Sequence, residues 1–231
     1  MKNHIIAALD DVVTLDEALF LAEKLSPWVG GFKISSLIDR YGVRAISAMK
    51  EFGFVMSDLK IHDIPSQAAR RVKIHADAGA RFITVHSSGG EAMILACAIV
   101  APLQTIAVTV LTSLDEIHVE KIFGSDLANR VRYFAHSASK NRAAGIVCAP
   151  DDLRYLDKDA LSRDFVRITP NVRSSWVHVA SDQNADRAMT PEAALRRGAH
   201  YVVIGRPITA SPNPVEAAQR ILHDIEEAGC V

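Results

Sequence analysis

Eight short apolar runs recur along this chain, and their spacing limits the folds open to it more than any other feature. They read HIIAAL, GFKI, FGFVMSDL, RFITVH, TIAVTVL, GIVCA, FVRIT and HYVVIG, each bounded by polar residues, Gly or Pro. Most are apolar throughout and do not alternate with polar residues, which is the pattern of strands buried on both faces of a parallel sheet. Helix-like segments separate them. Residues 14–25 place Leu15, Ala18, Leu19, Ala22 and Leu25 on one helical face, with Thr14 as the cap and Glu17 completing a capping box. The phrases AGARFITVH, AAGIVC and RGAHYVVIG each read as a glycine helix stop followed directly by a buried strand. No linker-like or low-complexity stretch interrupts the series. Alternating βα units of this length therefore predict one α/β domain over residues 1–231, a closed (β/α)8 TIM barrel in preference to an open doubly wound sheet.

Charge and composition narrow the partners. A formal net charge of -1 gives no whole-molecule attraction for polyanions, and 6% aromatic residues offer no extended stacking surface, so nucleic acid is not expected. The expected partner is a small molecule, held by a local arrangement of donors. Cys97, Cys148 and Cys230 are odd in number with no close pair, which fits a reducing compartment. The opening MKNHIIAALDD reaches acidic residues too soon for a secretory signal, and a cytoplasmic location follows as an expectation. Residues 93–111 carry no charge, but Pro102 and Gln104 interrupt them. They read as a helix end, a turn at Ala101 and Pro102, and a buried strand, with no membrane span.

In a barrel of this kind, chemistry sits at the C-terminal ends of the strands. Those ends supply Asp10, Lys33, Asp58 with Lys60, His86, Thr112, Thr169 with Pro170, and Gly205 with Arg206. Asp58 and Lys60 are two apart, so on a regular strand they share a face, with Asp63 following in the loop. Neighbouring carboxylates would keep Lys60 a cationic acid, suited to delivering a proton. Taken alone, D-x-K-x-x-D is equally a solvated strand end with incidental ion pairs. At the far end, GRPIT combines a glycine that lets backbone N–H groups approach an anion with a forked arginine donor, as in a barrel phosphate site; alone, it is equally a turn with a surface arginine. Arg173 and Gln183 lie in the preceding long loop, residues 173–191, which has the length of a lid, with Trp176 placed to cover it. His62 and His86 read as hydrogen-bonded loop organisers, and no His-Asp spacing suits a metal.

The segments ALD, GFKI, DLKIHDIP, TVHSSGG, AVTVLTS, GIVCAP, ITPNVR, DQ followed by TPEAALRRGA, and GRPIT, in this order, resemble the orotidine 5'-phosphate decarboxylases over nearly the whole chain. The resemblance implies decarboxylation of orotidine 5'-monophosphate to uridine 5'-monophosphate without cofactor or metal. Lys60 would protonate C6 of the pyrimidine, Asp58 would lie against the substrate carboxylate, and Asp63 would reach in from the second subunit of a homodimer. Asp10 and Lys33 would contact the ribose hydroxyls and extend the Asp-Lys array. Ile64, Gln67, Thr112 and Pro170 would contact the substrate, while Arg173, Gln183, Gly205 and Arg206 would grip its phosphate.

Two positions depart from the family pattern. Gln67 stands where relatives commonly have threonine in D-I-P-x-T, and Asn171 replaces the glycine of P-G-I-R. Asparagine tolerates the left-handed backbone better than most residues, so the second turn is expected to survive. Two other readings stay open. One is a magnesium-dependent sugar-phosphate decarboxylase or aldolase on the same scaffold, sharing D-x-K-x-x-D. An ammonium at Lys33 would repel such an ion. The other is a nucleotide-binding homologue without activity, motivated by Gln67 and Asn171.

Overall fold

The computed structural model describes residues 3–100, 104–156, 161–162, 164–176 and 187–230. Eight parallel strands close into a barrel in sequence order: β1 (Ile5–Ala8), β2 (Gly31–Ile34), β3 (Phe54–Ile61), β4 (Phe82–His86), β5 (Gln104–Val108), β6 (Gly145–Val147), β7 (Val166–Thr169) and β8 (Tyr201–Ile204), with β8 pairing back onto β1. Six fall within one of the apolar runs, β5 begins one residue before its run, and β3 extends two residues past its own. The intervening helices are α1 (Leu15–Leu25), α2 (Ser36–Tyr41), α3 (Arg44–Met49), α4 (Pro65–Asp77), α5 (Glu91–Ala98), α6 (Glu116–Phe123), α7 (Leu127–Lys140), α8 (Pro191–Arg196), α9 (Arg206–Thr209) and α10 (Pro214–Glu227). Among the described residues, β6 and β7 are joined through a 3-10 turn, Asp151–Tyr155, and not through an α-helix.

Period-two alternation sorts the strand residues into two cores. Ile5, Ala7, Phe32, Ile34, Ile83 and Val85 face outward and pack under the helices. Ile6, Ala8, Met56, Phe82, Ile168 and Val203 face inward and fill the barrel. Phe54, Phe82 and Tyr201 meet edge to face at centroid distances of 5.4, 5.5 and 5.7 Å. The ring of Phe54 occupies the space a side chain at Gly31 would need. These rings lie toward the N-terminal ends of their strands, so the polar residues at the opposite ends sit above a filled barrel and not over a pore.

Helix ends follow local chemistry. Thr14 caps α1 by accepting from the Glu17 N–H, and Asp115, Asp126, Thr190 and Asn213 do the same for α6, α7, α8 and α10. Gly79 (φ 101°) and Gly198 (φ 108°) follow α4 and α8 as helix stops. Gly145 does not. There α7 ends at Lys140 and Arg142 takes the left-handed turn (φ 64°), while Gly145 is the first residue of β6, where any Cβ would collide with the Val166 carbonyl. Of the uncharged stretch 93–111, the first part is helix α5 and the later part β5. The expected turn at Ala101 and Pro102 lies outside the described residues. Among the described residues, no helix is long and apolar enough to cross a membrane.

Candidate active site

Strand register builds the charged cluster. Lys33 lies opposite Ala8 on β1 and Met56 on β3, all facing the barrel interior. Asp10 and Asp58 are each two residues further along, on the same face, so the lysine stem rises between two carboxylates. Lys33 Nζ donates to Asp10 Oδ2 at 2.5 Å and sits 3.1 Å from Asp58 Oδ2, while Lys60 Nζ donates to that same Asp58 oxygen at 2.8 Å. The result is a continuous chain, Asp10, Lys33, Asp58, Lys60. Asp10 is held further by Ser35, which donates to its Oδ1 at 3.0 Å, and by Ser36, which donates to its carbonyl at 2.8 Å.

Burial grades along this chain. The side chains of Lys33 and Asp58 are 10% and 8% exposed, whereas those of Asp10 and Lys60 are each 40% exposed. The inner pair sets the field and the outer pair is the more open to solvent. Burial alone would push the Asp58 carboxyl up, but the Lys33 and Lys60 charges outweigh it and hold the group below the ordinary carboxylate range. Burial alone would lower the Lys33 pKa, but Asp58 and Asp10 outweigh it and raise it above the usual lysine value. At neutral pH both members of the inner pair are charged.

The route by which Lys60 arrives differs from the sequence expectation. It does not share a face with Asp58 through strand periodicity. Register slips between Ser57 and Ile61, where four residues of β3 advance against two of β4, and Lys60 takes a left-handed backbone (φ 48°). The bulge swings the side chain back over the barrel mouth. Such a conformation is rare for a non-glycine residue and persists only where surrounding contacts enforce it. Here Thr84 Oγ1 accepts from the Lys60 N–H at 2.9 Å and donates to Asp58 Oδ1 at 2.9 Å.

A cavity of about 560 Å³ opens above these groups, within the range of small-molecule sites. Asp10, Lys33, Asp58 and Lys60 line it, as do Thr112, Pro170, Arg173, Gly205 and Arg206. Its apolar floor comes from Ala8, Met56, Val147 and Val203. Asn171 also lines it, with the expected left-handed backbone (φ 62°), and its Oδ1 accepts from Arg173 Nη2 at 3.0 Å. Asp63, Ile64 and Gln67 do not line this cavity. They lie on an exposed segment entering α4, where Asp63 Oδ1 accepts from the Ile64 N–H and the Ile64 side chain is 62% exposed. Gln183 lies outside the described residues. Trp176 does not line the cavity, and most of the loop it was expected to cover lies outside the described residues. Its Nε1 donates to Asp224 at 3.1 Å and Arg220 stacks on its ring at 4.4 Å, so the indole is bound to α10. The His62 and His86 rings meet edge to face at 5.8 Å, and burial, with His62 and Lys60 nearby, holds the His86 pKa below the ordinary value.

Two features of the site went unread in the sequence. Thr84 is one. It is a polar residue inside the apolar run RFITVH, two positions from the interior-facing Phe82, and that offset was the available signal. The other is a buried pair, Arg187 and Asp152, whose Nη2 to Oδ2 distance is 2.5 Å. Arg187 Nη1 also donates to the carbonyls of Leu111 and Leu114, each at 2.9 Å, on either side of the cavity residue Thr112. Residues 35 apart in sequence give no local sign of such a pair.

Among the described residues no group of three or more His, Cys, Asp or Glu side chains is placed to hold a metal ion. The position between Asp10 and Asp58 is filled by the Lys33 ammonium.

Comparison with known proteins gives a consistent result. The family model described as Orotidine 5'-phosphate decarboxylase / HUMPS family matches residues 3–221. An orotidine 5'-phosphate decarboxylase of Paramagnetospirillum magneticum is 38% identical over 234 residues, covering 96% of this chain and 97% of that protein. One from Moorella thermoacetica is 38% identical over 245 residues, covering 97% and 93%. The crystal structure of orotidine 5'-phosphate decarboxylase from Lactobacillus acidophilus superposes with a TM-score of 0.80 at 27% identity, covering 96% of this chain and 99% of that one.

Proposed function

Because the chain belongs to the orotidine 5'-phosphate decarboxylase / HUMPS family, we propose that it decarboxylates orotidine 5'-monophosphate to uridine 5'-monophosphate, a step of pyrimidine nucleotide synthesis in the cytoplasm. The observation that carries this reading is the Asp10, Lys33, Asp58, Lys60 chain at the mouth of a cavity that also presents Arg173 and Arg206.

In the proposed reaction the bond from C6 to the carboxylate breaks, carbon dioxide leaves, and the electron pair stays on C6. Lys60 then gives C6 a proton and is reprotonated from solvent. A carbanion with no conjugated electron sink must be stabilised electrostatically, by a cation fixed beside the developing charge, and the reading therefore needs no cofactor. Asp58, already engaged by both lysines, lies against the departing carboxylate. Asp10 and Lys33 meet the ribose hydroxyls, Thr112 and Pro170 bound the pyrimidine and its sugar, and Arg173, Gln183, Gly205 and Arg206 hold the phosphate. One ammonium cannot supply a barrier reduction of up to about 23 kcal/mol, so phosphate binding energy contributes by fixing the ring against Lys60.

We place Asp63, Ile64 and Gln67 at the site of a second subunit in a homodimer. Their exposure, outside the cavity of their own chain, supports that placement. The magnesium-dependent branch is disfavoured by the Lys33 ammonium, which stands between the carboxylates such an ion would use.

The test adds purified protein to orotidine 5'-monophosphate in the presence of a chelator and follows the ultraviolet change together with carbon dioxide release. Turnover is expected. Activity that vanishes in chelator would transfer the chain to the metal-dependent branch, and tight uridylate binding with no turnover would make it a binding protein.

A further inference from the structure

We propose that Thr84 is a positioning residue for this reaction: its hydroxyl locks the Asp58 carboxylate and the left-handed Lys60 backbone into the one mutual arrangement from which the Lys60 ammonium reaches the substrate. The inference rests on the decarboxylase reading above and adds to it a residue that does not line the cavity.

The direction of the hydrogen bonds is fixed by chemistry. A carboxylate only accepts and a backbone N–H only donates, so the single Thr84 proton must go to Asp58 Oδ1 while an oxygen lone pair receives the Lys60 N–H. Thr84 is wholly buried, and both bonds measure 2.9 Å. The β3 bulge takes Lys60 out of the regular ladder with β4, and its amide is satisfied by this side chain. Holding Oδ1 from one side turns the carboxylate so that its other oxygen, Oδ2, faces Lys33 and Lys60 together. Valine at this position would fit the strand and preserve volume, but it would take the acceptor from the part-buried Lys60 N–H and leave Asp58 held through Oδ2 alone. The lysine would then lose the contact that enforces its backbone, and the anion that aims its side chain would be held less firmly. Loss of the donated bond also removes a force favouring the charged carboxylate, which the two lysines otherwise hold low.

The experiment compares wild type, Thr84→Ser, Thr84→Cys and Thr84→Val with orotidine 5'-monophosphate across pH. For Thr84→Val, kcat should fall about ten- to a hundredfold, as expected for losing a hydrogen bond to a charged group, while KM changes by less than about threefold. The acid limb of its kcat profile should move to higher pH. Thr84→Ser, which keeps the hydroxyl, should stay within about threefold of wild type. Thr84→Cys, with a weak donor, should fall between them, and it carries the test if the valine variant does not fold. A merely structural role would lower thermal stability and active fraction without moving the pH profile. Wild-type kcat in Thr84→Val, or a loss that serine fails to restore, overturns the inference. Absence of turnover in wild type refutes the decarboxylase reading instead. In that event a crystal structure of Thr84→Val decides the positioning question, and Lys60 still left-handed at hydrogen-bond distance from Asp58 overturns it.

Discussion

Replacing Arg187 by methionine should destabilise the protein by about 3–5 kcal/mol, the cost of stranding one member of a buried ion pair. Arg187 is 5% exposed and Asp152 is fully buried, so water cannot compensate the carboxylate left behind. The Leu111 and Leu114 carbonyls lose their donor in the same substitution. Changing both partners, Arg187→Met with Asp152→Leu, should recover much of this loss. The residual cost is that of the two part-buried carbonyls, up to about 1–3 kcal/mol for each that water does not reach. Two observations support partial recovery. Among the described residues, Asp152 Oδ1 and Arg187 Nε have no hydrogen-bond partner, and burial pushes the Asp152 carboxyl above its ordinary range despite the arginine beside it. The pair is incompletely compensated, which is the situation in which an apolar replacement costs least. Urea unfolding at fixed protein concentration, followed by circular dichroism and tryptophan fluorescence, measures both variants. A single variant costing under about 1 kcal/mol, or a double variant no more stable than the single, would refute the reasoning.

Lys60→Ala should reduce kcat by at least about 10²-fold, since a general acid contributes about 10²–10⁴, while uridylate affinity remains measurable by calorimetry; near-normal turnover would remove the proton donor. Arg206→Ala should raise KM for orotidylate about ten- to a hundredfold and leave uridine binding unchanged; equal losses for both ligands would contradict a phosphate role. The Asp58 carboxyl carbon, observed by NMR, should remain in the carboxylate form as pH falls through 3.8, its ordinary value, because Lys33 and Lys60 lower its folded pKa. By the same sign, the stability Asp58 contributes is complete above that pH and is lost only as pH drops through the lower folded value. Mixing inactive Lys60→Ala and Asp63→Ala proteins, then refolding them together, should restore activity through mixed dimers that carry one intact site; no recovery would argue against a shared site.

The barrel was legible because its strands are buried on both faces and so appear as continuous apolar runs, which periodicity and length together identify. The strand-end rule then located eight residues that line the cavity, from Asp10 and Lys33 to Gly205 and Arg206. Irregular backbone was less legible. The TIAVTVL run suggests a strand reaching Leu111, but β5 ends at Val108, after which the Thr109 hydroxyl turns to donate to the Val147 carbonyl. Gly145 resembles a helix stop in sequence because a strand glycine required by the close approach of Val166 carries the same letter. The Asp58 and Lys60 spacing suggested the right meeting for the wrong reason, since a bulge brings them together where periodicity alone would not. Long-range pairings such as Arg187 with Asp152 depend on how loops return over the barrel mouth, and no window of neighbouring residues encodes that.

The array also accounts for its own reactivity under the proposed reaction. Two carboxylates and two ammoniums give the array no net charge, so Asp58 and Lys33 tolerate their burial. A substrate carboxylate placed against Asp58 adds a negative charge that the array has no further cation to meet, and departure of carbon dioxide removes that charge from the carboxyl position. The electron pair left on C6 lies where Lys60 can meet it. Differential stabilisation of this kind requires that the groups not relax when the substrate enters, because a mobile lysine would follow the carboxylate and stabilise the ground state equally. The restraints on Asp58 and Lys60 supplied by Lys33, the β3 bulge and Thr84 are therefore part of the catalytic argument and not only of the fold. A variant that loosened them while keeping every charge should bind substrate as well as wild type and turn it over more slowly.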